Sequence, residues 1–532
     1  MSSARHRDSF KPKLIALSVA ACFSFSAPQA SANPTGGTVV SGGATFNSSG
    51  NTLTITNTAN AIINWQNFSI GVNEITRFLQ SSGSSAVLNR VVGANGVIPQ
   101  SVIDGVLQSN GRVFLLNSSG ILIGAGARID VAGFVASSLS LSDADFRAGR
   151  MHFTDTPGAG KVSNAGTIDT TSGGPGGRVF LIGPDVENSG VIRTPQGEIV
   201  LAAGKTVDLV SENSPFVTVS ITADNERAVN VGKLVADSGR IGMFGALVRQ
   251  GGVAEANSAV VGANGEIRLV ATKDLTLDAG SVTTANGLSG GNVVLQAQGG
   301  TNLIYGTVEA KGSSGQGGTI QALGVRVGVL GNGVIDASGD AGGGTVLVGG
   351  DAHGANPNVQ NAQQTLIGPD GVIRADAGTS GDGGRVIVWS DESTRIFGSI
   401  SARGGSQSGN GGFVETSSKG DLDVNLARVD TRAPNGQWGT WLLDPTNVII
   451  EPNGYAGGDA LVYASSFTIQ PPSGTTAHIT EQTVESGFSA NGTVKIQATT
   501  DVNFRTDLTL VYSGPSTGLF EVRAQNNIDM AY

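Results

Sequence analysis

The chain has 532 residues, a formal charge of −10, 80 glycines, 14% charged and 5% aromatic residues. So much glycine argues against a helical core, 39% hydrophobic content is too apolar for disorder, and no glycine-every-third-residue period supports a collagen helix. What remains is a turn-rich all-β protein, and an acidic chain without clustered Lys and Arg is not expected to bind nucleic acid.

Residues 1–32 read as an export signal: Arg5, Arg7, Lys11 and Lys13 precede an apolar run from Leu14 to Phe25, and Ala30-Ser31-Ala32 offers small residues for cleavage, with Ala30 and Ala32 as the recognised pair. The run is too short for a membrane anchor. Val19-Ala20-Ala21-Cys22 is a competing lipobox, which would leave Cys22 lipidated. Cleavage after Ala32 removes the chain's one cysteine, which suits a protein threaded unfolded through a pore, because no cross-link can form beforehand. The expected organisation is a signal at 1–32, a first β-domain at 33–280, regular repeats at 281–440 with an insertion near 349–366, and a further β-rich region at 441–532.

Between residues 61 and 141 a series of blocks follows. Ala61-Ile62-Ile63-Asn64-Trp65-Gln66-Asn67-Phe68 leads to Ala86-Val87-Leu88-Asn89-Arg90-Val91, then to Asn110-Gly111-Arg112-Val113-Phe114 and Asn117-Ser118-Ser119-Gly120-Ile121. In order and spacing these blocks closely resemble the secretion domain, or haemagglutination activity domain, of two-partner-secretion exoproteins of the filamentous haemagglutinin type. The resemblance implies a right-handed parallel β-helix with small extra-helical β elements, recognised by an outer-membrane β-barrel transporter through periplasmic POTRA domains. It also marks Asn64, Trp65, Phe68, Asn89, Arg90, Asn110, Gly111, Arg112, Asn117, Ser118, Ser119, Gly120 and Ile121 as candidate secretion-motif residues. One block departs from the family pattern: Asn117-Ser118-Ser119-Gly120-Ile121 stands where the family has Asn-Pro-Asn-Gly-Ile. The turn survives, with Asn first and Gly fourth, but it lacks the pre-set φ of proline.

From Gly290 a sentence repeats: a glycine pair, then a short apolar stretch, at Gly291, Gly318, Gly344, Gly384 and Gly412, with steps of 27, 26, 40 and 28 residues. A second series, starting at Gly306, Gly333, Gly371 and Gly398, interleaves with steps of 27, 38 and 27. One unit containing two strands therefore recurs, at roughly 25 residues per coil, and the long step marks an insertion. Stacked about 4.8 Å apart, about twenty such coils would build a rod on the order of 100 Å long. No long amphipathic helix is expected, and Ala136 to Arg147 allows at most a turn or two.

Downstream, Gly439-Thr440-Trp441-Leu442-Leu443-Asp444-Pro445 resembles a segment common in large exoproteins of this group. Asp143 with Asp145, and Asp391 with Glu392, read as solvated loops, and His6, His152, His353 and His478 are too far apart in sequence to suggest a metal pair. No metal or cofactor site and no catalytic constellation is expected. The favoured reading is a secreted surface adhesin that also engages a host or bacterial receptor or glycan. Two alternatives stand beside it: the stalk of a contact-dependent toxin or haemolysin, and a carbohydrate-active β-helix enzyme.

Overall fold

The computed structural model describes residues 33–210, 217–259, 264–453, 475–514 and 518–530; the signal, with Ala30, Ala32, Cys22 and His6, lies outside them. The chain winds as a parallel β-helix with three sheet faces. On the first face one inward column runs in parallel register through Ala61, Val87, Val113, Phe134, Val179, Ile199, Ile241, Ile267, Val293, Ile320, Val346, Val386, Val414, Trp441, Val494 and Phe520. The fifteen buried members from Ala61 to Val494 belong to a single core that extends from Leu53 to Val502. Branched and aromatic side chains suit this interior because each rung adds one more apolar layer to the stack.

Sixteen rungs among the described residues, at about 4.8 Å each, make a rod roughly 70 Å long. That is shorter than the twenty coils expected from a uniform repeat. Four steps in the column are long, at 45, 42, 40 and 53 residues, because the chain leaves the helix there.

The excursions have a physical reason. Several first-face strands, such as Arg178–Gly183, are apolar on both sides, so their outer half also needs cover. The first two excursions supply it as a four-stranded antiparallel sheet, ordered Ser140–Leu141, Met151–Thr154, Thr206–Val210, Thr218–Thr222, with the short helix Asp143–Arg147. Leu139, Phe146, Phe153 and Leu209 thereby bury Leu88, Phe114, Val135, Phe180 and Phe244 in a second apolar cluster. The third, residues 349–363, lays Val359 over Leu323, Leu347, Ile387 and Trp389.

At the fourth excursion the sequence order is inverted. Thr476–Thr480 pairs in parallel with Asn447–Glu451 on one side, while its His478 carbonyl and Thr480 N–H bond the Asn425 side chain just beyond strand Asp421–Asp423. Glu481–Ala490 then forms a helix, capped by Thr480, with Val484 and Phe488 buried. Sequence patterning does not foresee this helix: it contains Gly487, whose bare Cα lies under the Trp441 ring, where a Cβ would meet carbon at 2.5 Å.

Inside the corner between the second and third faces runs an amide ladder that hydrophobic periodicity also misses. Asn164 Nδ2 donates to Asn188 Oδ1 at 2.8 Å, Asn188 to Asn230 at 2.8 Å and Asn230 to Gln250 at 2.7 Å. All four are buried, and each also bonds the carbonyl two residues on, so the polar groups are satisfied within the core. Its trace in the sequence is the recurrent Asn-x-Gly at 164, 188 and 230.

Candidate functional site

The residues singled out between 61 and 121 fall into three groups. Trp65 and Phe68, both buried, close the N-terminal end of the rod. Trp65 meets Phe46 and Phe68 edge-on, at 5.5 and 5.6 Å between ring centroids, and Phe68 stacks on Phe78 at 6.5 Å. Beneath this aromatic plug Asn89, also buried, accepts the Trp65 Nε1–H at 2.9 Å and donates to the Phe114 carbonyl at 3.2 Å. Asn64 and Arg90 are register partners on the opposite side of the same strands. Arg90 reaches outward to the Leu141 carbonyl at 2.9 Å and to Asp143 at 2.7 Å, fastening the extra-helical sheet to the rod.

The second group is a corner. Asn110 exchanges two hydrogen bonds with the backbone of Gln80, at 2.8 and 2.7 Å. Gln80 in turn donates to the Ser109 hydroxyl and the Arg112 carbonyl, both at 3.0 Å. Gly111 leaves room for the Gln80 side chain, which a Cβ 2.6 Å away would push aside. Arg112 donates to the Ser84 carbonyl at 2.6 Å.

The third is the turn at Asn117–Ile121. The Asn117 carbonyl accepts the Gly120 N–H at 2.9 Å, and its Oδ1 accepts the Ser119 N–H at 2.9 Å. Where proline is missing, other bonds hold the loop. Asn117 Nδ2 donates to Pro99 and Ser101, the Ser119 hydroxyl to Ile98, and the Ser118 carbonyl and Ile121 N–H bond residues 160 and 161. Gly120 sits at φ +98°, where a Cβ would approach the Lys161 carbonyl to 2.6 Å. Gly120→Ala is therefore expected to destabilise this part of the rod by about 2 kcal/mol, read as a lower urea midpoint. An unchanged midpoint would show that the turn relaxes freely.

Of the eleven motif residues that carry side chains, five point inward and six lie half-buried or exposed. Trp65, Phe68, Asn89, Asn117 and Ile121 are buried and Asn110 is exposed. The inward members pack the first rungs, and only the outward ones can meet a partner on the folded surface.

Elsewhere, Asp143 and Asp145 begin a capped helix and pair with Arg90, Arg147 and Arg150. Asp391 receives the Trp389 indole N–H and pairs with Lys419. His152, His353 and His478 face Asp208, Asp444 and Glu451 separately. Among the described residues no three His, Cys, Asp or Glu side chains converge on a metal-sized site. Sequence reasoning passed over Glu198, which is buried beneath the Thr218–Thr222 arm; both its oxygens accept the Val217 N–H at 3.1 Å.

A parallel β-helix whose leading rungs carry an extra-helical antiparallel sheet defines the class of this chain as a β-solenoid. Comparison with known proteins agrees. The family model described as TPS secretion domain matches residues 30–243. The crystal structure of the HMW1 secretion domain from Haemophilus influenzae is similar with a TM-score of 0.59 and 33% identity, over 77% of this chain and all of that one. Two curated relatives, both heme/hemopexin-binding proteins of Haemophilus influenzae, are 40% identical over 109 residues and 36% identical over 94 residues. Those matches cover 20% and 18% of this chain but only 12% and 10% of the relatives. The chain belongs to the two-partner-secretion family. Its residues 30–243 are the part that matches that family's secretion domain.

Proposed function

We propose that the transporter engages this chain through its N-terminal domain, by way of periplasmic POTRA domains, and that the exported rod then acts as a non-catalytic surface adhesin. The observation that carries the reading is the continuous core from Leu53 to Val502 beginning in a plugged secretion domain. Each rung that closes outside the cell adds buried apolar area at about 25 cal/mol per Å² and so opposes back-sliding into the pore. Deleting residues 61–141 should abolish appearance of the protein in the medium when the transporter is co-expressed, leaving it degraded in the periplasm. Undiminished export would refute a role for this segment. The adhesin assignment is tested by binding of the purified rod to host cells or erythrocytes.

A second reading comes from the relatives' name, heme/hemopexin binding. Titration of the purified rod with heme, followed by absorption spectroscopy, separates it from the first.

A further inference from the structure

The insertion at residues 349–363 does more than cover Leu323, Leu347, Ile387 and Trp389. Its neck is pinched by the Ala362 N–H, which donates to the Gly349 carbonyl at 2.6 Å. On one side of the neck Gln360 is tied back to Gln296 and to the Gln298 carbonyl, both at 3.0 Å. On the other side the lobe 350–357 lies on the Trp389 indole, so closely that a Cβ on Gly350 or Gly354 would strike the ring. His353, held in this lobe at φ +52°, reaches two rungs beyond Trp389 along the rod. Its backbone N–H donates to Glu415 at 3.0 Å, and its Nδ1 meets Asp444 at 2.7 Å with Glu415 3.8 Å away. Glu415 is out of keeping with its place. The outer column of this face runs Leu347, Ile387, Glu415, Leu442 in parallel register, and Glu415 is wholly buried in it. A fourth aliphatic side chain would complete the apolar strip, whereas a carboxyl there is costly to ionise.

We propose that the lobe 350–357 is a pH-sensitive strap, latched by His353 on Glu415 and Asp444, which lifts as pH rises and uncovers Trp389 and the apolar strip beside it. Burial pushes both carboxyls above their ordinary range, and the Asp444 charge raises Glu415 further, against the pull of His353. A carboxyl raised in this way favours the closed form while it is protonated. Its contribution is fully present below the ordinary carboxyl range and is lost as pH rises through the folded value. An imidazole sheds its charge within the physiological range. Rising pH therefore acts twice in one direction: it sets two anions side by side and takes away the cation between them. The other charges around the lobe are engaged with one another. Asp351 pairs with Arg385 at 2.9 Å, Asp391 with Lys419 at 2.8 Å, and Lys495, the register neighbour of Leu442, with Glu521 at 3.8 Å. The pinched neck and the Asp351–Arg385 pair remain as the hinge when the latch opens.

The test is fluorine NMR of the full chain labelled with 5-fluorotryptophan, the Trp389 resonance being assigned with Trp389→Phe. The change in that resonance between light and heavy water reports solvent contact. It should hold a buried value near about pH 5 and grow to an exposed value by about pH 9. Glu415→Gln with Asp444→Asn keeps both acceptors and removes both charges, so Trp389 should stay buried throughout. His353→Gln keeps a donor for Asp444 but not the cation, and should move the opening midpoint down by about one pH unit. His152→Gln, which faces Asp208 on the extra-helical sheet, should titrate like wild type. A wild-type signal independent of pH, a carboxyl double variant that titrates like wild type, or an unmoved midpoint in His353→Gln would each overturn the proposal.

Discussion

Replacing Trp65 by alanine is expected to destabilise the first rungs by about 3–5 kcal/mol, among the largest effects of any single change in this chain. Three losses combine. The indole fills the end of the core between Phe46 and Phe68, so truncation opens a cavity beneath the antiparallel strand Thr38–Ser41 that covers this end. Asn89 loses the donor that satisfies its buried Oδ1. The covering segment at Gly37, packed directly on the indole, also loses its support. Trp65→Phe keeps much of the volume but not the N–H and should cost about half as much. Urea unfolding followed by the fluorescence of the remaining tryptophans measures the order. If export draws on folding outside, the amount in the medium should rank wild type, Trp65→Phe, Trp65→Ala. A Trp65→Ala variant with an unshifted urea midpoint would show that the plug contributes no stability.

The second large effect is a pH dependence centred on Glu198. Burial beneath the extra-helical arm pushes its pKa up to about 7, against the pull of the Val217 N–H, Arg240 and Arg178, which favour the charged form. A raised carboxyl pKa means that the folded state binds the proton more tightly than the unfolded chain, whose value is 4.5. This group's contribution is therefore fully present below about pH 4.5 and is lost as pH rises through about 7. The loss amounts to roughly 3 kcal/mol. Glu198→Gln keeps an acceptor for Val217 and carries no charge, so its advantage over wild type should be absent near pH 4.5, grow to neutrality and then stay constant. The measurement is the difference in unfolding midpoint between the two proteins at several pH values. A difference independent of pH would place the ionisation of Glu198 outside the folding equilibrium.

The repeats announce themselves in the sequence because a solenoid writes each rung in the same grammar. Glycine pairs, with Val, Ile and Leu between them, place the inward column at Val293, Ile320, Val346, Val386 and Val414 with no knowledge of the fold. The candidate motif was legible as a series of blocks but not as geometry. Nothing in Asn89 or Asn117 read as text tells whether the amide looks toward a partner or into the core, because that depends on which rung lies above and below. The family resemblance implied extra-helical β elements; in the residues themselves the antiparallel cover shows only as strands such as Val179-Phe180-Leu181-Ile182, apolar on both faces, which a one-sided sheet would not carry. The helix at Glu481–Ala490 was missed because a glycine and two serines hide its apolar stripe.

The inverted strand near the C-terminal end has a kinetic consequence. A chain emerging from its first residue onward can zip each coil onto the last, as a thread is laid on a spool. Residues 447–451 cannot be laid this way, because the place beside residues 421–423 belongs to residues 476–480, which come later in the chain. Winding must halt there with an unpaired edge until the later segment arrives and slips in, so this rung is where assembly of the rod changes from sequential to delayed closure.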